Sequence, residues 1–275
     1  MANSTDEQAK LQLDCRSGFG SMLKEWRALR RLSQLDLSLA AGVSARHVAF
    51  LETGRTRPSR EMVIALAAAM DVPLQSRNHL MQEAGFAAIY KARPLGDVAL
   101  IPVRNALDLM LDNHNPYPGI LLDRHWNLLE ANAAAVRLFG PLLGQSTESN
   151  LVRRLLDNPS TPDLVRNWGQ VAHSWLARLR LEATQAGADI ELDALVALLA
   201  AEVQRHSCEA LHDATGHPFI DFKLTSGGHE IALFSAMVEF ATASDITVRD
   251  LRLELFFPAN DASAKGLQNT GAAPT

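Results

Sequence analysis

Cysteine is scarce: the 275-residue chain has two, Cys15 and Cys208, far apart and in no ligand-like spacing with each other. That excludes a disulfide scaffold and a Cys-built zinc site. Long apolar runs are missing too. No stretch of about 18 uncharged apolar residues occurs, and Met1 to Lys10 lacks the basic-then-apolar order of a secretory signal. A cytoplasmic protein with no membrane contact is the expectation. Catalytic signatures are also lacking: there is no GxSxG elbow, no GxxxxGK phosphate loop and no GxGxxG fingerprint. The chain therefore reads as not an enzyme, with no cofactor. His206, Cys208, His212 and His217 lie close together, and Cys208 and His212 stand at i, i+4. Without a second cluster or an HExxH or CxxC pattern they read as ordinary side chains rather than metal ligands.

What is present is a globular composition, 47% hydrophobic and 21% charged, in a length that suits two domains. The net charge of −5 hides an asymmetry. Arg16 to Arg93 carries twelve Lys/Arg against six Asp/Glu, a surplus of +6, whereas Pro94 to Thr275 carries thirteen against twenty-two, a deficit of −9. A small basic domain joined to a larger acidic one suits a nucleic-acid reader coupled to something else.

The basic part reads as five short helices. Phe19, Met22, Leu23, Trp26 and Leu29 form one apolar stripe at helical spacing. Ser33 caps a second helix that buries Leu37 and Ala41 and ends at Gly42. Ser44 caps a third, burying Val48 and Leu51 and closing at Gly54. Ser59 caps a fourth with Met62, Val63, Leu66, Ala67 and Met70 inward, and Leu74 to Ala84 is a fifth. The seam falls at Arg93-Pro-Leu-Gly96.

Two short helices joined by a tight glycine turn cross steeply, which pushes the second outward. Its outer face is Ala45, Arg46, Ala49 and Phe50. Small alanines permit close approach to a groove, Arg46 suits the O6 and N7 of guanine, and Phe50 suits a thymine methyl. Arg55 and Arg57 follow in a basic loop placed for phosphates. The candidate DNA-contacting set is Gln34, Ser44, Ala45, Arg46, His47, Ala49, Phe50, Arg55 and Arg57.

These residues resemble the helix-turn-helix of the XRE and phage-repressor family across Arg16 to Ala87, most specifically in Ser44 to Arg60. The resemblance implies that Gln34 contacts the DNA backbone and orients the recognition helix, and that Glu52 pairs with Arg27 as a structural tie. One departure stands out. Phage repressors often carry glutamine where this chain has Ala45 and Phe50, so their base code does not transfer.

Downstream, a helix from about Pro102 to Asn113 precedes two short strands around a turn at Asp123 to His125. Asn132 caps a helix through Phe139 that stops at Gly140-Pro141. Helical stretches follow at about Val165 to Ala186 and Leu192 to His206. Strand-like segments then run from Phe219 to Leu224, Glu230 to Phe240 and Thr247 to Phe257, making an α+β domain.

His47 to Pro58, Leu80-Met-Gln-Glu-Ala-Gly-Phe86, Pro116-Tyr-Pro, Leu122-Asp-Arg-His-Trp126, Ala131-Asn132 and Leu255-Phe-Phe-Pro258 together look like MmyB-like transcription regulators. That resemblance implies a PAS-like ligand-binding domain associated with a fatty-acid-like ligand. The fold class is thus α plus α+β: a five-helix, phage-repressor-like helix-turn-helix domain at 16–93, then a PAS-like α+β domain at 94–258. Disordered tails are expected at 1–15 and 259–275.

A cavity between that sheet and its helices would be lined by Tyr117, Leu121, Trp126, Leu128, Asn132, Phe139 and Trp168, with Trp175 seven residues beyond Trp168 on the same helical face. Arg137, Arg153 and Arg180 are candidates to meet a fatty-acid carboxylate, because an unpaired buried anion is costly. The functional expectation is a sequence-specific DNA-binding transcriptional regulator sensing a small apolar ligand. It would work as a homodimer on a palindromic operator of double-stranded DNA, since one recognition helix reads only a few base pairs. The alternative makes the second domain a ligand-free dimerisation or protein-interaction module.

Overall fold

The computed structural model describes residues 18–144, 147–205, 221–226 and 228–271. The expected tail at 1–15 and the cluster His206, Cys208, His212 and His217 lie outside them. The chain divides into two units, Met1–Lys91 with Thr184–Gly187, and Ala92–Ala183 with Ala188–Thr275.

In the first unit the apolar stripe produces α1 (Phe19–Leu29), with Phe19, Leu23 and Trp26 buried. Leu29 is 39% exposed instead. At 3.6 residues per turn it lies roughly 80° around the helix from Phe19, off the inward face. Then come α2 (Gln34–Ala41), α3 (Ala45–Glu52), α4 (Arg60–Ala69) and α5 (Leu74–Glu83). Serine caps open three of these helices. The Ser33, Ser44 and Ser59 side chains accept from the backbone N–H of Asp36, His47 and Met62, and Asp36 returns a bond to the Ser33 N–H, completing a capping box. Leu37, Val48, Leu51, Val63, Leu66, Leu80 and Met81 pack together as the core. Each such buried side chain stabilises by about 1.5–3 kcal/mol relative to exposure.

The second unit is a five-stranded antiparallel sheet with helices, an α+β domain. The strands β1 (Gly119–Leu122), β2 (Leu128–Ala131), β3 (Phe222–Ser226), β4 (His229–Glu239) and β5 (Arg252–Pro258) stand in the order β2-β1-β5-β4-β3. Between β2 and β3 the chain forms α7 (Ala133–Leu143), α8 (Leu151–Asp157), α9 (Thr161–Leu164), α10 (Trp168–Ala186) and α11 (Ile190–Arg205); α6 (Ile101–Asn113) precedes the sheet. Strand alternation sorts the two faces. Leu121 pairs with Leu253 in register and both pack with Leu107 and Leu111 of α6. Ile120 pairs with Glu254, and Ser235 with Phe256, on the opposite face.

Three expectations need correction here. The helix after Asn132 does not stop at Gly140-Pro141: α7 runs through Pro141 to Leu143, because Leu142 continues to bury. The strand expected from Thr247 begins only at Arg252. Before it, Ile246–Asp250 forms α12, opened by Asp245, whose Oδ1 accepts from the N–H groups of Thr247 and Val248. The third concerns the expected disordered tail at 259–275, where Asp261–Gly271 is the helix α13. It docks through Ser263, whose hydroxyl accepts from the Ala232 N–H at 2.9 Å, and through buried Leu267.

Candidate DNA interface and ligand cavity

In the first unit the turn from α2 into α3 depends on Gly42, at φ +69°. That left-handed conformation costs a side-chain-bearing residue about 1 kcal/mol or more. It lets the Val43 N–H reach the Ser38 carbonyl at 2.9 Å, and α3 leaves at once under the Ser44 cap. Behind α3, Val48 and Leu51 are buried. The Glu52 carboxylate takes Arg27 Nε at 2.6 Å, Arg27 Nη2 at 3.1 Å and Gln34 Nε2 at 2.8 Å. Burial pushes the Glu52 carboxyl up, but the Arg27 and Gln34 donors outweigh it and hold it below the usual range.

Gly20 adds a backbone contact that the sequence did not announce. A Cβ there would lie 2.5 Å from the Leu51 carbonyl oxygen and 2.7 Å from that of Glu52. Only glycine lets α1 lie against the end of α3.

The outward side of α3 carries the chemistry. Arg46 is exposed, and Ala45, His47, Ala49 and Phe50 are half-exposed. The Arg46 guanidinium sits over the Phe50 ring, 5.2 Å from its centroid, and that of Arg55 lies 5.7 Å from it. Arg55 is held by its own N–H, which donates to the Phe50 carbonyl at 2.9 Å. Arg57 is exposed beyond it. Gln34 serves to brace Glu52, and Ser44 to cap α3. The surface can offer guanidinium donors and an apolar ring to base edges, with cations alongside for phosphates.

In the second unit two cavities share an aromatic wall of Trp175, Phe222 and Phe256. Trp175 and Phe222 are parallel, with centroids 6.4 Å apart, and Phe139 meets Phe256 edge-on at 5.0 Å. One cavity, of about 180 Å³, adds Ser174, Arg178, Ser235 and Glu254. Its neighbour is an apolar seam of about 20 Å³ among Ile120, Leu128, Phe139, Leu142, Leu143, Leu151 and Leu155.

A charged cluster borders the first cavity. Arg178 donates to Glu182 at 2.9 Å and to Glu254 at 3.3 and 3.5 Å, Arg252 reaches Glu182 at 2.9 Å, and the Ser235 hydroxyl donates to Glu254 at 2.8 Å. Burial lowers the Arg178 pKa, but Glu254 and Glu182 outweigh it and the guanidinium is raised above its ordinary value.

Of the residues expected to line a cavity, Leu128, Phe139 and Trp175 do so, while the others are engaged elsewhere. Leu121 belongs to the face packed on α6. Trp126, 1% exposed, donates Nε1 to Glu182 at 2.7 Å, with Arg178 over its ring at 4.5 Å. Trp168 donates to Glu202 at 2.8 Å. Asn132 accepts from the N–H groups of Gly119 and Ala135 and donates to the carbonyls of Leu111 and Tyr117, so its amide knits the hairpin to α6 and α7. The Tyr117 ring lies tilted against His114, 5.9 Å away.

Arg137 borders a separate cavity of about 200 Å³ with Leu138, Ser226 and Leu267. Arg153 and Arg180 are absent from the walls of all three, and Arg178 is the arginine at the aromatic one. Sequence reasoning missed Arg178, Phe222 and Phe256, whose strand or helix spacing matches plain core. Alternation along β5, which puts Glu254 and Phe256 on one face, was the available signal.

Among the described residues no helix is long and apolar enough to cross a membrane. No curated protein matches the chain significantly. Two family models do. A helix-turn-helix model matches residues 23–76, the unit with the Gly42 turn and α3, and the match is of the XRE type. The MmyB-like transcription regulator ligand binding domain matches residues 103–269, over half of the chain and nearly all of the sheet unit. Both are domains of transcription regulators, and the chain belongs to the MmyB-like transcription regulators, joining an XRE-type DNA-binding unit to that family's ligand-binding domain.

Proposed function

We propose that this chain is a sequence-specific transcriptional regulator that reads DNA through the outer face of α3 and whose sheet unit responds to a small apolar ligand. The observation that carries the reading is the division of labour on α3. Its inner face is fixed by Val48, Leu51 and the Glu52 ties, which leaves Arg46 and Phe50 to project outward. The contact set is Arg46, Phe50, Ala45, His47 and Ala49 for base edges, with Arg55 and Arg57 for phosphates.

The sheet order β2-β1-β5-β4-β3 supports a PAS-like reading of the second unit, with the ligand on the helix-covered face. A cavity of about 180 Å³ is close to the roughly 150 Å³ that accommodates benzene, enough for a head and its first carbons but too small for a whole acyl chain. A fatty acid would therefore place its head near Arg178 and Ser235 and part the apolar seam with its tail, at a gain of about 0.8 kcal/mol per buried CH₂. Its carboxylate would compete with Glu254, whose contacts to Arg178 are long. The narrowness of the seam favours a second reading, a ligand-free dimerisation module. In both readings the protein acts as a homodimer on a palindromic operator, two recognition helices about 34 Å apart.

Native mass spectrometry of the full chain tests the choice. A co-purifying lipid-sized mass is the expected result, whereas an apo dimer indifferent to added fatty acids would establish the module. Selection from a random duplex pool tests DNA reading, and the spacing of recovered half-sites reports the dimer.

A further inference from the structure

Glu254 meets the aromatic cavity with an acceptor to spare. It is 5% exposed and shares the cavity wall with Ser174, Arg178 and Ser235. Its Oε1 accepts from the Ser235 hydroxyl at 2.8 Å and from Arg178 Nη1 at 3.3 Å, whereas Oε2 has, among the described residues, only Arg178 Nη1 at 3.5 Å. That separation is at the outer limit of a hydrogen bond. A buried carboxylate oxygen held so loosely gains from any further donor that enters the cavity.

The nearby cations are already engaged. Arg178 gives Nε to Glu182 at 2.9 Å and Nη2 to the Met237 sulfur at 3.0 Å. Arg252 gives Nη1 to Glu182 at 2.9 Å and Nε to Glu239 at 3.3 Å. Two guanidiniums thus face three carboxylates, of which Glu182 and Glu254 are buried and Glu239 is exposed. An entering carboxylate would add a fourth negative charge and bring only acceptors, so it would have to draw Arg178 away from Glu254. An ammonium would satisfy Glu254 but lie beside Arg178. An uncharged O–H or N–H does neither.

We propose that the cavity selects a ligand with an uncharged, donor-bearing head on an apolar tail, a primary amide, an alcohol or a protonated carboxylic acid, and that Glu254 sets this choice. The proposal rests on the ligand-binding reading above and names the head that it takes. The head donates to Glu254 Oε2, and the first carbons lie along Trp175, Phe222 and Phe256. A fatty acid enters in its protonated form, so its binding weakens as rising pH depletes that form.

Calorimetric titration of the full-length protein with octanamide, octanol, octanoate and octylamine, which share one tail length, tests the choice of head. Near neutral pH octanamide and octanol should bind roughly 100-fold more tightly than octanoate, because only a small fraction of a carboxylic acid is then neutral. Octanoate should weaken about tenfold for each pH unit above about 6, with octanamide unchanged. In E254Q, checked for folding by its melting curve, Arg178 is released to meet an anion, and the preference for octanamide should shrink about tenfold. The wild-type series decides alone if that variant does not fold. Octanoate or octylamine binding as tightly as octanamide overturns this proposal only, as does an unchanged preference in folded E254Q. Binding of none of the four at millimolar concentration overturns the ligand reading itself.

Discussion

The two units place their candidate sites on opposite sides of their cores. In the helical unit the candidate DNA contacts stand on the outside of α3, while a separate set (Val48, Leu51, Glu52, Arg27, Gly20) fixes the helix from within. In the sheet unit Trp175, Phe222, Phe256 and Arg178 line the cavity and also hold the fold. A recognition face can therefore change without a stability cost, and a cavity wall cannot.

The largest effect expected from that contrast is in the sheet unit. Asn132→Ala removes a helix cap and leaves the Leu111 and Tyr117 carbonyls and the Gly119 N–H without their partner; urea denaturation should show a loss of about 4 kcal/mol. Next comes Arg178→Met, which keeps the stem but strands Glu254 beside a half-neutralised Glu182. A loss of about 3 kcal/mol is expected, together with altered capture of fatty acid in native mass spectra. Stability lost without a change in capture would separate wall from fold and break the comparison.

In the helical unit Glu52→Ala should cost about 2 kcal/mol by leaving Arg27 part-buried without its carboxylate. Operator preference should survive, because the reading face is intact.

Acid sharpens the contrast further. Glu52 is held below its ordinary value, so its stabilisation is complete above the unfolded value of about 4.3 and is lost as pH falls through the lower folded value. In the sheet unit burial pushes Asp189 up, but the Leu192 N–H, His125 and Arg124 outweigh it and hold it low, which gives the same sign. Asp250 is raised by burial, outweighing Arg124, Arg252 and His125, so protonating it favours folding and offsets part of that loss. Below about pH 4, hydrogen exchange corrected for intrinsic rates should show the helical unit losing protection first. The smallest effect is that of Arg57→Ala: no change in melting, binding weakened alike on every duplex, and a salt slope reduced by about 0.9.

Legibility in the sequence follows the same division. The α3 surface could be read because it breaks a rule: a phenyl ring on an otherwise outward face followed by a basic loop departs from the amphipathic pattern. Ser33, Ser44 and Ser59 announced their helices through a local bond that needs no tertiary knowledge. The cavity obeys the rules of a core, so Leu121 and Ile120, adjacent in one buried strand, were indistinguishable until pairing with β5 assigned their faces. Asn132 was legible as a cap, whereas its two carbonyl partners come from 15 and 21 residues away. The helix α13 was hidden by a composition of Ala, Ser, Gly and Asn, because it docks through few anchors, Ser263 and Leu267 among them.

The missing side chain at Gly20 has an outcome beyond packing. Main chain lying against main chain at Gly20 sets the tilt of α3, so none of the residues proposed to meet DNA also determines its pitch. Under the proposed DNA reading, exchanging Arg46 and Phe50 gives a descendant of this protein a new address on the chromosome, provided position 20 stays bare.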